Sequence, residues 1–403
     1  MARTQFIFIT LFLDALGIGL LIPVLPEILR RFTSDLGMIS LYYGYFLSAY
    51  AAMQFLASPV LGSLADRYGR RPVLLVSLLG AGIDYLVMAF APTLTILFIG
   101  RAISGLTGAS MTVASSYMAD ISDDSNRSKN FGMIGAAFGL GFIIGPVLGG
   151  VFQGIGPNGP FLAAAVMNIL NFAFGYFILP ESLALENRRK LTLRSMNPFL
   201  SIIKILKPSP IAAFIWVYFI LFFAGQIHPV NWTLYMQNKF AWTAWEVGLS
   251  LSFVGIANAL TQALLPRYVI PWLGEQKSFI LGVLISAIGF AMFGLLTEGW
   301  MAYPAIAVFA FSGITIPALQ SIISKSAAAN AQGELQGSLI SLGSISAIAA
   351  PFFYTQIFMH YSDKTSGVYF PGAAYLSAAG LCVLALFIGL HAVRSNPSPT
   401  KKA

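Results

Sequence analysis

Twelve apolar stretches, most of them about twenty residues long, leave this chain few ways to fold. A helix needs roughly 20 apolar residues to cross a hydrocarbon layer about 30 Å thick. Lipid offers no partner to a backbone N–H or C=O, so such stretches satisfy their own hydrogen bonds as helices. The rest of the composition agrees. Of 403 residues, 57% are hydrophobic and only 9% are charged, whereas a soluble domain carries roughly 25% charged residues. Too little charge is present to cover a water-facing surface, and the chain reads as an all-α polytopic membrane protein.

The candidate spans run 4–26, 39–64, 72–91, 93–119, 129–154 and 158–179, then 209–236, 244–268, 277–297, 299–324, 332–359 and 369–393. Between the sixth and seventh lies the only long charged segment, Pro180 to Pro208, with Arg188, Arg189, Lys190, Arg194, Lys204 and Lys207. It divides the spans six and six, giving a first half over 1–179, a linker over 180–208 and a second half over 209–403. Arg3 before an apolar run resembles a secretory signal. No small-residue cleavage site follows and Asp14 interrupts the run, so the segment reads as a retained first span. The single Cys382 cannot form an internal disulfide.

The net charge of +8 is read as loop charge rather than as a nucleic-acid surface. With the N-terminus in the cytoplasm and sides alternating, Arg3, Arg67, Arg70, Arg71, Arg127, Lys129 and the linker cluster fall inside. So do Arg267, Lys277, Lys325, Arg394, Lys401 and Lys402. Only Arg30, Arg31, Lys239 and Lys364 fall outside, the asymmetry expected of a multi-pass cytoplasmic-membrane protein with both termini inside.

Three charged residues sit inside spans. Asp14 is ten residues into the first and Asp84 twelve into the third, or about 15 and 18 Å from the cytoplasmic side at 1.5 Å per residue. Arg101 is eight residues into the fourth, about 12 Å from the other side. All three reach the middle of the bilayer, where a charge costs about 2.5–3.5 kcal/mol on insertion scales and so faces protein or a wet cavity. A buried Asp84–Arg101 pair could serve helix packing alone. One arginine cannot neutralise two acids, however, and a carboxylate left in excess in a low-dielectric site suits reversible protonation. Asp14 is therefore read as the proton carrier, modulated by Asp84 and Arg101.

Two further stretches stand out. In "GAAFGLGFIIGPVLGG", Gly135 and Gly139 are four apart, as are Gly141, Gly145 and Gly149, and Pro146 adds a bend. This spacing lets another helix approach bare backbone. In "GSLADRYGRRP", Gly62 leads into Asp66 and Arg67, Gly69 suits a turn, and Arg70 and Arg71 anchor the cytoplasmic side. Asp66 is the surplus residue, able to pair with an arginine or to sit at a helix N-terminus. No phosphate loop, metal-ligand spacing or nucleophile elbow is present, and His228, His360 and His391 lie on separate spans or loop ends.

At these residues the chain resembles the major facilitator superfamily: "GSLADRYGRRP" its loop signature after the second helix, "GRAISGLTGA" its fourth-helix arginine motif, and the glycine run its antiporter motif. "LDALGIGLLIPVLP", "LLGAGIDYL", "GQI", "EGW" and "PALQ" are similar to the tetracycline-efflux branch of drug–proton antiporters. The resemblance covers nearly the whole chain. It implies two pseudo-symmetric six-helix bundles that export drug in exchange for protons by alternating access, with Asp14, Asp84 and Arg101 in coupling and Asp66 and Arg70 in a gating loop. It implies a small lipophilic substrate, a lipid bilayer as surroundings, a monomer, and no cofactor beyond a divalent cation arriving on the substrate. The second half departs from that branch. Asn258 stands where the branch has a histidine and Ser286 where it has an aspartate, and Glu246, Glu298 and Glu334 lie at span edges. Coupling then rests on the first half, and a neutral or cationic drug fits better than a magnesium chelate. Candidate cavity residues are Gln54, Gln226, Asn258, Gln262, Ser286 and Gln320. The rival reading is a proton-coupled symporter taking up a small metabolite.

Overall fold

The computed structural model describes residues 2–108, 110–123, 127–188, 191, 196–199, 212–325, 332–363 and 367–395. Every element among them is helical. The spans are α1 (Ala2–Leu21), α2 (Leu36–Tyr68), α3 (Arg70–Phe90), α4 (segments Leu94–Thr107 and Ser110–Asp120), α5 (Arg127–Gln153) and α6 (Gly159–Ile178). They continue as α7 (segments Ala212–Gly225 and Ile227–Phe240), α8 (Ala244–Leu273), α9 (Glu275–Gly294), α10 (Ala302–Ala310 and Thr315–Lys325 around a tight turn, Phe311–Ile314), α11 (Gln332–Ser362) and α12 (Ala373–Ser395). Among the described residues twelve helices are long and apolar enough to cross a membrane. Most of the expected linker, including Arg189, Lys190, Arg194, Lys204 and Lys207, lies outside the described residues, as do Lys364, Lys401 and Lys402.

Boundaries differ from the sequence reading where proline and glycine decide them. The first span stops at Leu21, and a separate short helix, Leu25–Leu29, opens with Pro26 in its first turn. Proline lacks an N–H and clashes with the preceding turn, so it starts helices more readily than it continues them. At the other extreme α2 runs on to Tyr68, so Gly62, Asp66 and Arg67 are helical rather than in a loop. Only Gly69 breaks the chain there. Its φ of +109° is a conformation closed to most side chains.

Packing repeats between the halves. In the first, α1 packs on α5 and α6 while α3 packs on α4 and α6; in the second, α7 packs on α11 and α12 while α9 packs on α10 and α12. Contacts group the chain into two units: Met1–Asp35, Tyr45–Pro198 and Trp242–Ser252; and Leu36–Gly44, Phe199–Ala241 and Phe253–Ala403. Thus α2 and α8 each belong partly to one unit and partly to the other. Within the first unit the start of α8 lies on α5, Ser252 donating to the Ile143 carbonyl. Within the second the start of α2 lies on α11, Ser40 donating to the Thr355 carbonyl at 3.3 Å.

The glycine run of α5 divides in use. A Cβ on Gly145 would sit 2.7 Å from the Leu16 carbonyl and 2.9 Å from the Gly19 Cα, and one on Gly149 2.4 Å from the Leu20 carbonyl. Gly141 meets α1 likewise, 2.6 Å from the Ala15 Cβ. These three let α1 and α5 touch backbone to backbone. Pro146 faces α8: its carbonyl lies 2.4 Å from a Cβ placed on Gly248. Gly135 and Gly139 meet nothing within 4 Å, so close packing does not account for them. Replacing Gly145 by alanine should force α1 from α5 at a cost of about 1–3 kcal/mol and lower the melting temperature in detergent. Gly139→Ala should leave it unchanged or raise it, since a helical alanine gains roughly 0.5–1 kcal/mol over glycine.

Candidate functional site

The buried charges of the first half meet around two tyrosines. Arg101, 6% exposed, projects from the first segment of α4. Its guanidinium carbon lies 4.0 Å from the Tyr50 ring centroid and 4.7 Å from that of Phe46, both on α2. A guanidinium over an aromatic face is stabilised by the ring quadrupole, the more so when desolvated. Asp84, on α3, is 1% exposed and neither carboxylate oxygen has a hydrogen-bond partner. The Arg101 charge acts on it, and the Ser104 hydroxyl is near enough to donate to it once the geometry tightens. Gly100 makes the space, since a Cβ there would lie 3.0 Å from Oδ1 of Asp84.

Asp14 stands half-buried on α1, without an ion pair among the described residues. One turn on, a Cβ at Gly17 would meet the Tyr85 hydroxyl at 2.9 Å, so α1 opens room for that ring. Tyr85 and Tyr50 each feel the charges of Asp14, Asp84 and Arg101. The three residues picked from depth alone thus share one electrostatic environment, yet no salt bridge joins Arg101 to either acid among the described residues. A locked structural pair would have shown one. Phe46, Tyr50, Tyr85 and Ser104 were not legible beforehand, because aromatic and hydroxyl residues are ordinary in spans.

A second charge cluster forms at the α2–α3 junction. Arg70, 8% exposed, pairs with Asp66 and donates from Nε to Asp120 at 3.1 Å, at the end of α4. Asp120 also accepts from the Ser182 hydroxyl at 2.9 Å. Glu181, just past α6, accepts from the backbone N–H of Arg70 at 2.8 Å and of Arg71 at 3.2 Å, and so caps the N-terminus of α3. Its carboxylate occupies the space a Cβ on Gly69 would need, 2.2 Å away. Arg71 reaches the Tyr176 carbonyl at 2.6 Å, while Arg67 lies 5.2 Å from the neighbouring Tyr68 ring and Gly62 is in ordinary contact with Thr112. Asp120, Glu181 and Ser182 come from elements distant in sequence, which is why the sequence reading missed them.

The second half repeats this junction with the charges exchanged. Gly274, at φ +80°, precedes Glu275 as Gly69 precedes Arg70. Glu275 accepts from Lys325 at 2.6 Å and from Ser321 at 2.5 Å. Lys325 ends α10 as Asp120 ends α4. The residues differ from those of the first junction while the geometry persists.

Also in the second half, a cavity of about 460 Å³ is lined by Asn258, Gln262, Ser286 and Gln320, with Phe290 and Phe309 on its wall. Its size suits a drug-sized ligand, and Ser312 and Gly313 of the tight turn in α10 line it too. Breaks in membrane helices expose backbone groups where ligands bind. Four of the six expected cavity residues therefore line one cavity. Gln226 sits at the break between the α7 segments, outside that lining. Gln54 lies in the other unit, its amide 3.0 Å from the Gly108 carbonyl and 3.2 Å from the Tyr50 hydroxyl. Among the described residues no three His, Cys, Asp or Glu side chains are grouped to hold a metal.

Comparison with known proteins places these features. Residues 7–351 match the model of the Major Facilitator Superfamily. The chain is 42% identical to the class C tetracycline resistance protein of Escherichia coli, over 94% of this chain and 93% of that protein. It is 39% identical to the class E protein of the same organism, over 94% and 92%. The crystal structure of the nucleoside transporter NupG superposes with a TM-score of 0.79 at 15% identity, over 98% of this chain and 100% of that one, a likeness of fold. The chain belongs to the Major Facilitator Superfamily, in the branch of the tetracycline resistance proteins.

Proposed function

We propose that this protein is a proton-coupled exporter of tetracycline-like or other lipophilic drugs, working by alternating access as two six-helix halves, 1–179 and 209–403. Relatives named as tetracycline resistance proteins, matched over nearly the whole chain, support the substrate class. One structural observation carries the coupling: Asp84 is buried beside Arg101 and Asp14 borders the same two tyrosines, with no ion pair to either acid among the described residues. Such a cluster holds one charge too many when both acids are ionised, and a proton removes the excess. Asp14 loads a proton from the outside face, and drug entering from the inside displaces it. Arg101, held over its rings, adjusts how strongly Asp84 competes.

The Arg70–Asp66–Asp120 cluster acts as the gate, its contacts parting and re-forming as the halves alternate. Gly135 and Gly139, bare and unpacked, leave α5 a face along which a neighbour can slide. The second-half cavity receives the drug. Its amides and hydroxyls offer hydrogen bonds, and its aromatic wall offers stacking to a neutral or cationic ring system. Asn258, Gln262, Ser286 and Gln320 supply no carboxylate, so a divalent cation travels, if at all, on the drug. We place the protein in the cytoplasmic (inner) membrane with both termini inside, on the distribution of its basic residues.

Everted vesicles carrying the protein should accumulate tetracycline inward when a proton gradient is imposed and release protons as they do so. Asp14→Asn should reduce this uptake to the level seen without a gradient while the protein still reaches the membrane. Drug uptake that persists unchanged in Asp14→Asn, or drug leaving the vesicles with the protons, contradicts the proposal. Asn258→Leu should instead raise the half-saturating drug concentration about fivefold to thirtyfold, the loss of one or two hydrogen bonds, and leave proton dependence intact.

A further inference from the structure

Helix α4 is shared by both charge clusters of the first half. Its first segment carries Arg101 and Ser104, and its second ends at Asp120, which takes the Nε bond of Arg70. Between them the helix is interrupted at Gly108, whose φ of −73° and ψ of +50° leave the helical region and whose N–H turns back to the Gly105 carbonyl. Without a helical partner, the Gly108 carbonyl accepts instead from Nε2 of Gln54 on α2, at 3.0 Å. The same nitrogen lies 3.2 Å from the Tyr50 hydroxyl, one turn earlier on α2. Tyr50 is the ring nearer to the Arg101 guanidinium, at 4.0 Å.

The two helices are in backbone contact here. A Cβ on Gly105 would lie 2.6 Å from the Tyr50 carbonyl and 2.7 Å from the Met53 Cβ. One amide therefore ties three things together: the interruption in α4, the ring that carries Arg101, and the α2 backbone that continues to Asp66. An unpaired carbonyl in a membrane interior is costly, and the Gln54 amide offsets that cost at the interruption.

We propose that Gln54 is a positioning residue that clasps the interruption in α4 to the Tyr50–Arg101 stack, so that rearrangement of the buried charges is passed along α4 to the Asp120–Arg70 gate. This rests on the proton-coupled reading above. It assigns Gln54 to the coupling machinery of the first half and not to drug contact, since its amide is already engaged by backbone and tyrosine.

The test is proton-driven tetracycline uptake by Gln54→Leu, Tyr50→Phe and the double variant in everted vesicles. Hydrogen exchange of the amides around Gly108 is measured on the same purified full-length proteins. Gln54→Leu should lower the maximal rate about tenfold, the kinetic equivalent of one buried hydrogen bond, with KM changed by less than about twofold. Tyr50→Phe should lower it less, and the double variant should be no slower than Gln54→Leu, because both substitutions open one clasp. Exchange near Gly108 should quicken in each. A KM raised about tenfold at an unchanged maximal rate would make Gln54 a drug contact and overturn the proposal; so would unaltered exchange, or single effects that simply add. Should Gln54→Leu fail to accumulate, Tyr50→Phe carries the same rate and exchange readouts. Uptake by the native protein that ignores the proton gradient would refute the coupling reading, while the exchange arm would still decide whether the clasp exists.

Discussion

An arginine buried in the middle of a membrane bundle, with no salt bridge among the described residues, is the constraint around which the first half is arranged. Arg101 cannot be left facing lipid, and a tight pair with Asp84 would hold both charges fixed. The structure stacks it on Phe46 and Tyr50 instead, a compensation that stabilises the cation without consuming the carboxylates. Asp84 feels that charge, and Asp14 shares with both the neighbourhood of Tyr50 and Tyr85. Much of the neighbouring packing serves this end: Gly100 clears space for Asp84, Gly17 for Tyr85, and Gly105 brings α2 against α4.

The first half joins this cluster to a second one, around Arg70. Residues of α2 and α4 take part both at the stack and at the Arg70 cluster, while Glu181 fixes the start of α3 between them. The second half keeps the frame and changes the contents. A positive-φ glycine, a charged residue after it and a partner ending the next helix recur there with the signs exchanged. Where the first half buries carboxylates, the second lines a cavity with Asn258, Gln262, Ser286 and Gln320. The halves have diverged in chemistry on one scaffold.

Much of this was legible in the sequence, for physical reasons. Spans show because lipid demands long apolar runs, and Asp14, Asp84 and Arg101 show because charge at that depth is expensive. Family resemblance marked Asp66 and Arg70. Boundaries shifted where single residues decide: Pro26 starts a separate helix, and α2 continues through Pro59 to Tyr68, where Gly69 ends it. Asp120, Glu181, Ser182 and the two tyrosines were hidden, since their meaning lies in contacts between elements far apart in the chain. The glycine run was only half legible. Spacing alone could not tell Gly141, Gly145 and Gly149, pressed on α1, from Gly135 and Gly139, which face open space.

Proton release on drug binding tests most directly whether the buried cluster exchanges a hydrogen ion for substrate. Tetracycline added to the purified protein in weakly buffered detergent solution should free protons in proportion to the drug bound, and the Asp14→Asn protein should bind drug while freeing almost none. Equal release from both proteins, or drug bound by the native protein with no proton freed, would contradict it.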